Sequence, residues 1–247
     1  MIKAICIYFI TYLYAILSTL LYMPYVFLLV KLHVLSHKKG KNMLQNNAKR
    51  WAKLNILVMG TKVSVSYEKF EAINDIKDEA IVIVSNHQSK ADIPLLLGYF
   101  IRPIGFVAKI ELKNMPILKY WMQMLDCIFL DRSDARSAIK TMQEGAALIA
   151  REKACISIFP EGTRGSEIIS FKKGSFKLAF MSKGYLVPIV IKGTDKLSSS
   201  DKIKAGKADL FKLHIGTPIS MAHLTKEEKE ALPETVENWV RENFNKL

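Results

Sequence analysis

The most chemically loaded spacing in this chain is a histidine followed five residues later by an aspartate, in Asn86-His87-Gln88-Ser89-Lys90-Ala91-Asp92. The segment begins where the short apolar run AIVIVS (80–85) ends. Such a run marks a strand buried on both faces. In α/β sheets, ligand sites gather beyond the carboxyl ends of the strands. A carboxylate that accepts a hydrogen bond from one imidazole nitrogen fixes the tautomer and leaves the other nitrogen to take a proton. His87 and Asp92 so arranged are a general base seeking an alcohol. That alcohol can belong to the substrate, so no serine nucleophile is required. The same residues also fit a blander arrangement, with Asp92 a helix N-cap and His87 a satisfied loop histidine.

A second chemical segment is Phe159-Pro160-Glu161-Gly162-Thr163-Arg164-Gly165, which follows another apolar run, ACISIF (154–159). It should therefore emerge on the same edge of the sheet. Two glycines permit a tight turn that presents backbone N–H groups to an anion. The planar fork of Arg164 fits a phosphate or a carboxylate. Glu161 could orient that arginine or bind a substrate hydroxyl. Taken alone, the segment is equally a turn with a surface ion pair.

The elements that must hold these loops are legible from periodicity. Apolar or alternating runs predict strands over 62–67, 80–85, 104–109, 126–130, 154–159, 185–191 and 211–216. Helical spacing predicts helices over 43–58, 93–100 and 135–149. Thr225 and Glu228 have capping-box spacing. Pro233 suits the first turn of a last helix that carries Val236, Trp239, Val240 and Phe244 on one face. Strands alternating with helices imply an α/β fold, a largely parallel sheet flanked by helices. LSSSDKIKAGK (197–207) reads as a surface loop.

Together the two segments resemble the glycerolipid acyltransferase family, in which NHxxxxD is followed some seventy residues later by FPEGTR. More narrowly, they are similar to the bacterial 1-acyl-sn-glycerol-3-phosphate acyltransferases. Three further blocks support the resemblance: FVAKIELKNMPIL (106–118), IFLDR (128–132) and VPIVIKGT (187–194). The chain departs from the pattern at Asp126 and Cys127, where the family often has glycine before the IFLDR-like strand. It departs again near Lys119 and Tyr120.

The resemblance implies that His87 takes the proton of the 2-hydroxyl of lysophosphatidic acid, and that Asp92 orients the ring. The alkoxide then attacks the thioester of acyl-CoA or acyl-ACP without a covalent acyl-enzyme, giving phosphatidic acid for phospholipid synthesis. Backbone N–H groups near the motifs would serve the oxyanion. Arg164 would hold the acceptor phosphate, helped by Lys109 and Arg132, on a site shaped by Glu161, Gly162 and Thr163. No metal or cofactor is needed. Glycerol 3-phosphate, another lysophospholipid or a lyso-ornithine lipid are alternative acceptors. A non-catalytic lipid-binding protein would not need the His–Asp pair.

Composition agrees with a lipid substrate. The 247 residues carry a formal charge of +13 and are 50% hydrophobic, which excludes a disordered chain. Three cysteines exclude a disulfide-rich secreted scaffold and show no metal-ligand spacing. Between Lys3 and Lys31 lie 27 uncharged, mostly apolar residues. Roughly 20 such residues span a bilayer core. Pro24 leaves open a kinked single span or a helical hairpin. The basic run after it, from Lys31 to Lys53, points to the cytoplasmic side of an inner membrane and to anionic lipid head groups. Three regions follow: a membrane-inserted segment (1–34), a basic juxtamembrane helix (35–61) and an α/β domain (62–247). The basic residues are spread along the chain, with no recognition helix or aromatic-rich motif, so nucleic acid is not an expected partner. Oligomeric state is open.

Overall fold

A strand that is apolar on both faces needs cover on both, and the fold is arranged so that 81–85 has it. The computed structural model describes residues 2–131, 133–197 and 210–247. In chain order its strands are Lys62–Tyr67 (β1), Ile81–Ser85 (β2), Gly105–Lys109 (β3), Ile128–Leu130 (β4), Cys155–Ile158 (β5), Tyr185–Lys192 (β6), Leu210–Ile215 (β7) and Ile219–Ser220 (β8). The helices are Ile2–Leu17 (α1), Met23–Lys31 (α2), His37–Val58 (α3), Phe70–Asp75 (α4), Asp92–Tyr99 (α5), Pro116–Met124 (α6), Ala135–Glu152 (α7), Lys177–Ser182 (α8) and Lys226–Lys246 (α9).

The sheet order is β1-β7-β6-β2-β5-β3-β4, with β8 beside β6. β2 is fully buried and pairs in parallel with β5 on one side and β6 on the other. β3 and β4 continue the parallel set. β7 runs antiparallel to β6, so the edge pair β1–β7 is reversed. The sheet is thus largely parallel, as the alternation of strands and helices implies. One face is covered by α3 and α5, through Ala52, Ile56, Leu95 and Leu96. The other is covered by α7, α8 and α9, through Ile149, Leu178, Val236 and Val240.

The N-terminal run is one continuous helical stretch. α1 passes through a π-helical segment, Ser18–Tyr22, into α2. There the Met23 N–H reaches Ser18 O, and Pro24 follows in the first turn of α2. The wider turn absorbs the hydrogen bond that a proline cannot donate. Pro24 therefore does not split the run into two helices. The chain turns back only after α2, at His33 with a φ of 59°. Ser36 then caps α3 by accepting from Lys39 N. This early cap is why the helix starts at His37 rather than at 43.

α3 returns antiparallel to the first run. Tyr14 Oη donates to Asn47 Oδ1 at 2.6 Å, Val26 packs with Leu44, and Gly40 lies against Val30. Trp121 Nε1 of α6 donates to Thr19 Oγ1 at 2.6 Å. Most of the outer surface stays apolar and exposed, including Phe9, Leu20, Leu21, Tyr25 and Leu28. The stretch Tyr12–Lys31 has the length and composition of a membrane span.

One local expectation changes. Pro233 lies inside α9, not in its first turn. The capping box at Thr225 and Glu228, with both reciprocal bonds present, starts the helix earlier. Asp126 takes a φ of 60°, the left-handed backbone that favours glycine, and its carboxylate accepts from Lys41 Nζ of α3 at 2.7 Å. The departure from the family's glycine therefore keeps the turn and adds a tie to α3. The expected loop at 197–207 lies, after Leu197, outside the described residues.

Thr225→Ala should cost about 1 kcal/mol, lowering the melting temperature by roughly 2–4 °C for a chain of this size. Thr225→Ser should leave it unchanged. Thermal unfolding of the three proteins checks this.

Candidate active site

Parallel pairing of β2 with β5 and β6 brings three loops to one edge of the sheet. The loop after β2 carries His87, the loop after β5 carries Glu161 and Arg164, and the loop after β6 carries Thr194. Asn86 fixes their relation. Its side-chain amide donates to Ile191 O at 2.8 Å and accepts from Ile191 N at 2.8 Å. It thereby acts as one more strand rung against β6 where β2 has ended.

Asp92, the first residue of α5, is fully buried. Its Oδ2 accepts from His87 Nδ1 at 2.7 Å, from Gln88 N at 2.7 Å and from Ser89 N at 3.0 Å. Its Oδ1 accepts from Thr194 Oγ1. The carboxylate binds N–H groups that precede the helix, not those of its first turn, so Asp92 is not an N-cap; that position is Ala91. A buried carboxylate is tolerable because donors surround it. With Nδ1–H directed at the carboxylate, His87 Nε2 carries the lone pair. Arg164 Nε donates to that nitrogen at 3.2 Å. The ring stacks on Phe159 at 3.9 Å between centroids, and Phe159 stacks in turn on Phe106 at 6.4 Å.

The glycine turn forms as expected, with Gly162 at a φ of 72°. Its N–H groups point inward, however. Gly162 N donates to Phe159 O and Gly165 N to His87 O, because these bonds close the loop and dock it on the loop after β2. With Gln88 N and Ser89 N already on Asp92, four backbone donors near the motifs are engaged by protein acceptors. Arg164 and Thr163 are exposed at the loop's outer side. Lys172 Nζ lies over Gly162, where an added Cβ would come within 2.7 Å of it.

Glu161 does not orient Arg164. It is 2% exposed and takes the His87 backbone N–H, while its Oε1 has no partner. Burial is the first reason its carboxyl is pushed up to about 8, with the nearby Asp92 charge adding to it. Lys109 is exposed at the end of β3, two strands from β2, and no hydrogen bond or ion pair joins it to His87 among the described residues. Arg132 lies outside the described residues. Cys155 is buried and Cys127 half-buried, and desolvation pushes both thiols up to about 12, away from the reactive thiolate.

Sequence reasoning assigned nothing to Thr194, to the Asn86 amide or to Phe159. The run VPIVIKGT contains Thr194, but a threonine two residues beyond a strand carries no pattern of its own.

Residues 64–192 match the family model described as Acyltransferase. The chain is 32% identical over 195 residues to a 1-acyl-sn-glycerol-3-phosphate acyltransferase of Saccharomyces cerevisiae, covering 77% of this chain and 62% of the yeast protein. It is thus similar to somewhat less than two thirds of that relative's length. A probable 1-acyl-sn-glycerol-3-phosphate acyltransferase of Mycoplasma pneumoniae is 28% identical over 194 residues, covering 72% and 70% of the two chains. The crystal structure of the 1-acyl-sn-glycerophosphate (LPA) acyltransferase of Thermotoga maritima superposes with a TM-score of 0.75 at 26% identity, covering 99% of this chain and 96% of that one.

The raised Glu161 carboxyl has a consequence for stability. The folded chain keeps a proton that the unfolded chain, near 4.5, has released. Folding stability therefore falls as pH rises from about 4.5 to about 8 and levels off above. Glu161→Gln removes this dependence. Its melting temperature should gain on the parent's through that window and stay a constant interval above it at higher pH. A constant interval across the whole range would show the carboxyl unshifted.

Proposed function

This chain belongs to the acyltransferase family, and on that premise we propose that it transfers an acyl group from acyl-CoA or acyl-ACP to the sn-2 hydroxyl of 1-acyl-sn-glycerol 3-phosphate, forming phosphatidic acid. One observation carries the reading. The lone-pair nitrogen of a histidine tied to a buried carboxylate stands 3.2 Å from an exposed arginine fork. A base and a phosphate binder that meet suit an acceptor whose hydroxyl sits on the carbon next to the phosphate-bearing one.

In this reading the acceptor phosphate draws Arg164 away from His87, and the sn-2 hydroxyl replaces it at Nε2. His87 takes the hydroxyl proton while Asp92 stabilises the imidazolium. The alkoxide oxygen bonds to the thioester carbonyl carbon. The tetrahedral intermediate then collapses, the C–S bond breaks, and the leaving thiolate receives the proton from His87. Arg164 holds the phosphate on the loop formed by Gly162 and Thr163, with Glu161 as its inner support and Lys109 and Arg132 as further cations. The phosphate offers the arginine a charge-assisted, bidentate partner that a neutral imidazole does not.

The chemistry also gives the N-terminal run a use. Residues 1–34 would enter the membrane that holds both acyl chains, 35–61 would lie against anionic head groups, and 62–247 would carry the reaction on the cytoplasmic side. Exposed apolar side chains along Tyr12–Lys31 support this arrangement.

Membranes carrying the protein should make phosphatidic acid from labelled oleoyl-CoA and lysophosphatidic acid. His87→Ala should lower kcat by about 10²–10⁴-fold. Product from glycerol 3-phosphate instead would keep the mechanism and change the acceptor. Failure with every lyso-acceptor, offered both acyl-CoA and acyl-ACP, would overturn the reading. Arg164→Ala should raise KM for the acceptor by roughly tenfold or more, the loss of a charge-assisted bond, with the donor KM little changed. An unchanged acceptor KM would remove Arg164 from the phosphate site.

A further inference from the structure

We propose that Thr194 is a positioning residue for the reaction, acting on His87 through Asp92. The proposal rests on the reading of His87 as the base. Thr194 lies two residues beyond β6, just outside the stretch that matches the family model, and is fully buried.

The carboxylate of Asp92 divides its two oxygens unequally. Oδ2 serves His87 Nδ1 and two backbone N–H groups, all from the loop after β2. Oδ1 is held by the Thr194 hydroxyl, which comes from the loop after the neighbouring strand β6. A carboxylate held only through Oδ2 could still swing about that oxygen. A donor on Oδ1 fixes the plane of the group, and with it the direction in which Oδ2 receives the imidazole N–H. Gln88 Oε1 lies 3.4 Å from the same hydroxyl and is its alternative acceptor.

The chain is built to deliver this hydroxyl. The Asn86 amide pins Ile191 to the loop after β2. Gly193 then turns the backbone with a φ of 95°, where a side chain would clash with Leu210 O at 2.7 Å. The next residue places its Oγ1 on Asp92. The loop after β2 and the loop after β6 thus share one buried charge, and a hydroxyl at position 194 is the group that joins them.

The test compares the parent, Thr194→Val, Thr194→Ser and Asp92→Asn with and without Thr194→Val, as full-length protein. Valine keeps the shape and removes the hydroxyl; serine keeps the hydroxyl. Thr194→Val should lower kcat roughly tenfold or more, as expected for a lost hydrogen bond to a charged group, with both KM values within about twofold of the parent's. Thr194→Ser should recover most of that loss. In the Asp92→Asn background the valine should add little, because the residue it acts through is already gone. Histidine-labelled protein in detergent gives a second readout: the low-field Nδ1–H proton resonance of His87 should shift or broaden in Thr194→Val and return in Thr194→Ser.

An unchanged kcat in Thr194→Val, an equal loss in Thr194→Ser, or full additivity with Asp92→Asn would overturn the proposal and leave Thr194 a packing residue. If valine prevents folding, Thr194→Ala is read by the same criteria. If the parent itself transfers no acyl group, the proposed function fails; the resonance of His87 then still decides whether Thr194 controls the pair.

Discussion

A carboxylate with no exposed surface is the constraint on which the site depends. Left without partners, a buried charge would cost several kcal/mol. Asp92 avoids this with four donors, drawn from the loop after β2 and from Thr194 after β6. The backbone N–H groups of Gln88 and Ser89 can reach it only if the loop curls over the start of α5, and that curl is what turns His87 back toward the carboxylate. The same bonds that make the charge tolerable thus set the imidazole tautomer. Stability of the loop and orientation of the imidazole have one physical origin.

The sheet supplies the neighbours. Because β2 sits between β5 and β6, its loop can be touched from both sides. From the β5 side come the Phe159 ring, the Glu161 carboxyl under the His87 backbone, and Arg164 on Nε2. From the β6 side comes Thr194. The buried and open ends of the site also differ in polarity. On the buried side, burial drives Glu161 toward its neutral form, which spares the region a second negative charge beside Asp92. On the open side Arg164 offers a full positive charge to solvent. The field across His87 therefore runs from an exposed cation, Arg164, to a buried anion, Asp92.

The N-terminal helices are joined to one another and to this domain by polar as well as apolar contacts. Tyr14 meets Asn47, Thr19 meets Trp121, and Lys41 meets Asp126. α3 lies between the apolar run and α5, so the element that follows a candidate span is also part of the core that positions Asp92. The polar ties are few and specific, while the apolar outer face of the run is left uncovered by the protein. A helix with that division belongs partly to the fold and partly to whatever surrounds it.

Local chemistry made much of this legible beforehand. The buried strands announced themselves as short apolar runs, α9 by its capping box, and the His87–Asp92 pair by its five-residue spacing after one such run. Each of these depends on residues close in the chain, so a linear reading can find them. Pro233 was misread for the same reason, since proline's preference for a first turn is a local rule and the capping box eight residues earlier outranks it. What the linear order could not contain was the meeting of distant segments. Thr194 is 102 residues from Asp92, and Arg164 is 77 from His87. Glu161 looked like a partner for the arginine beside it, yet the turn at Gly162 sends one inward and the other out. These outcomes were decided by strand order and by where a buried charge could find donors, and both exist only once the chain has folded.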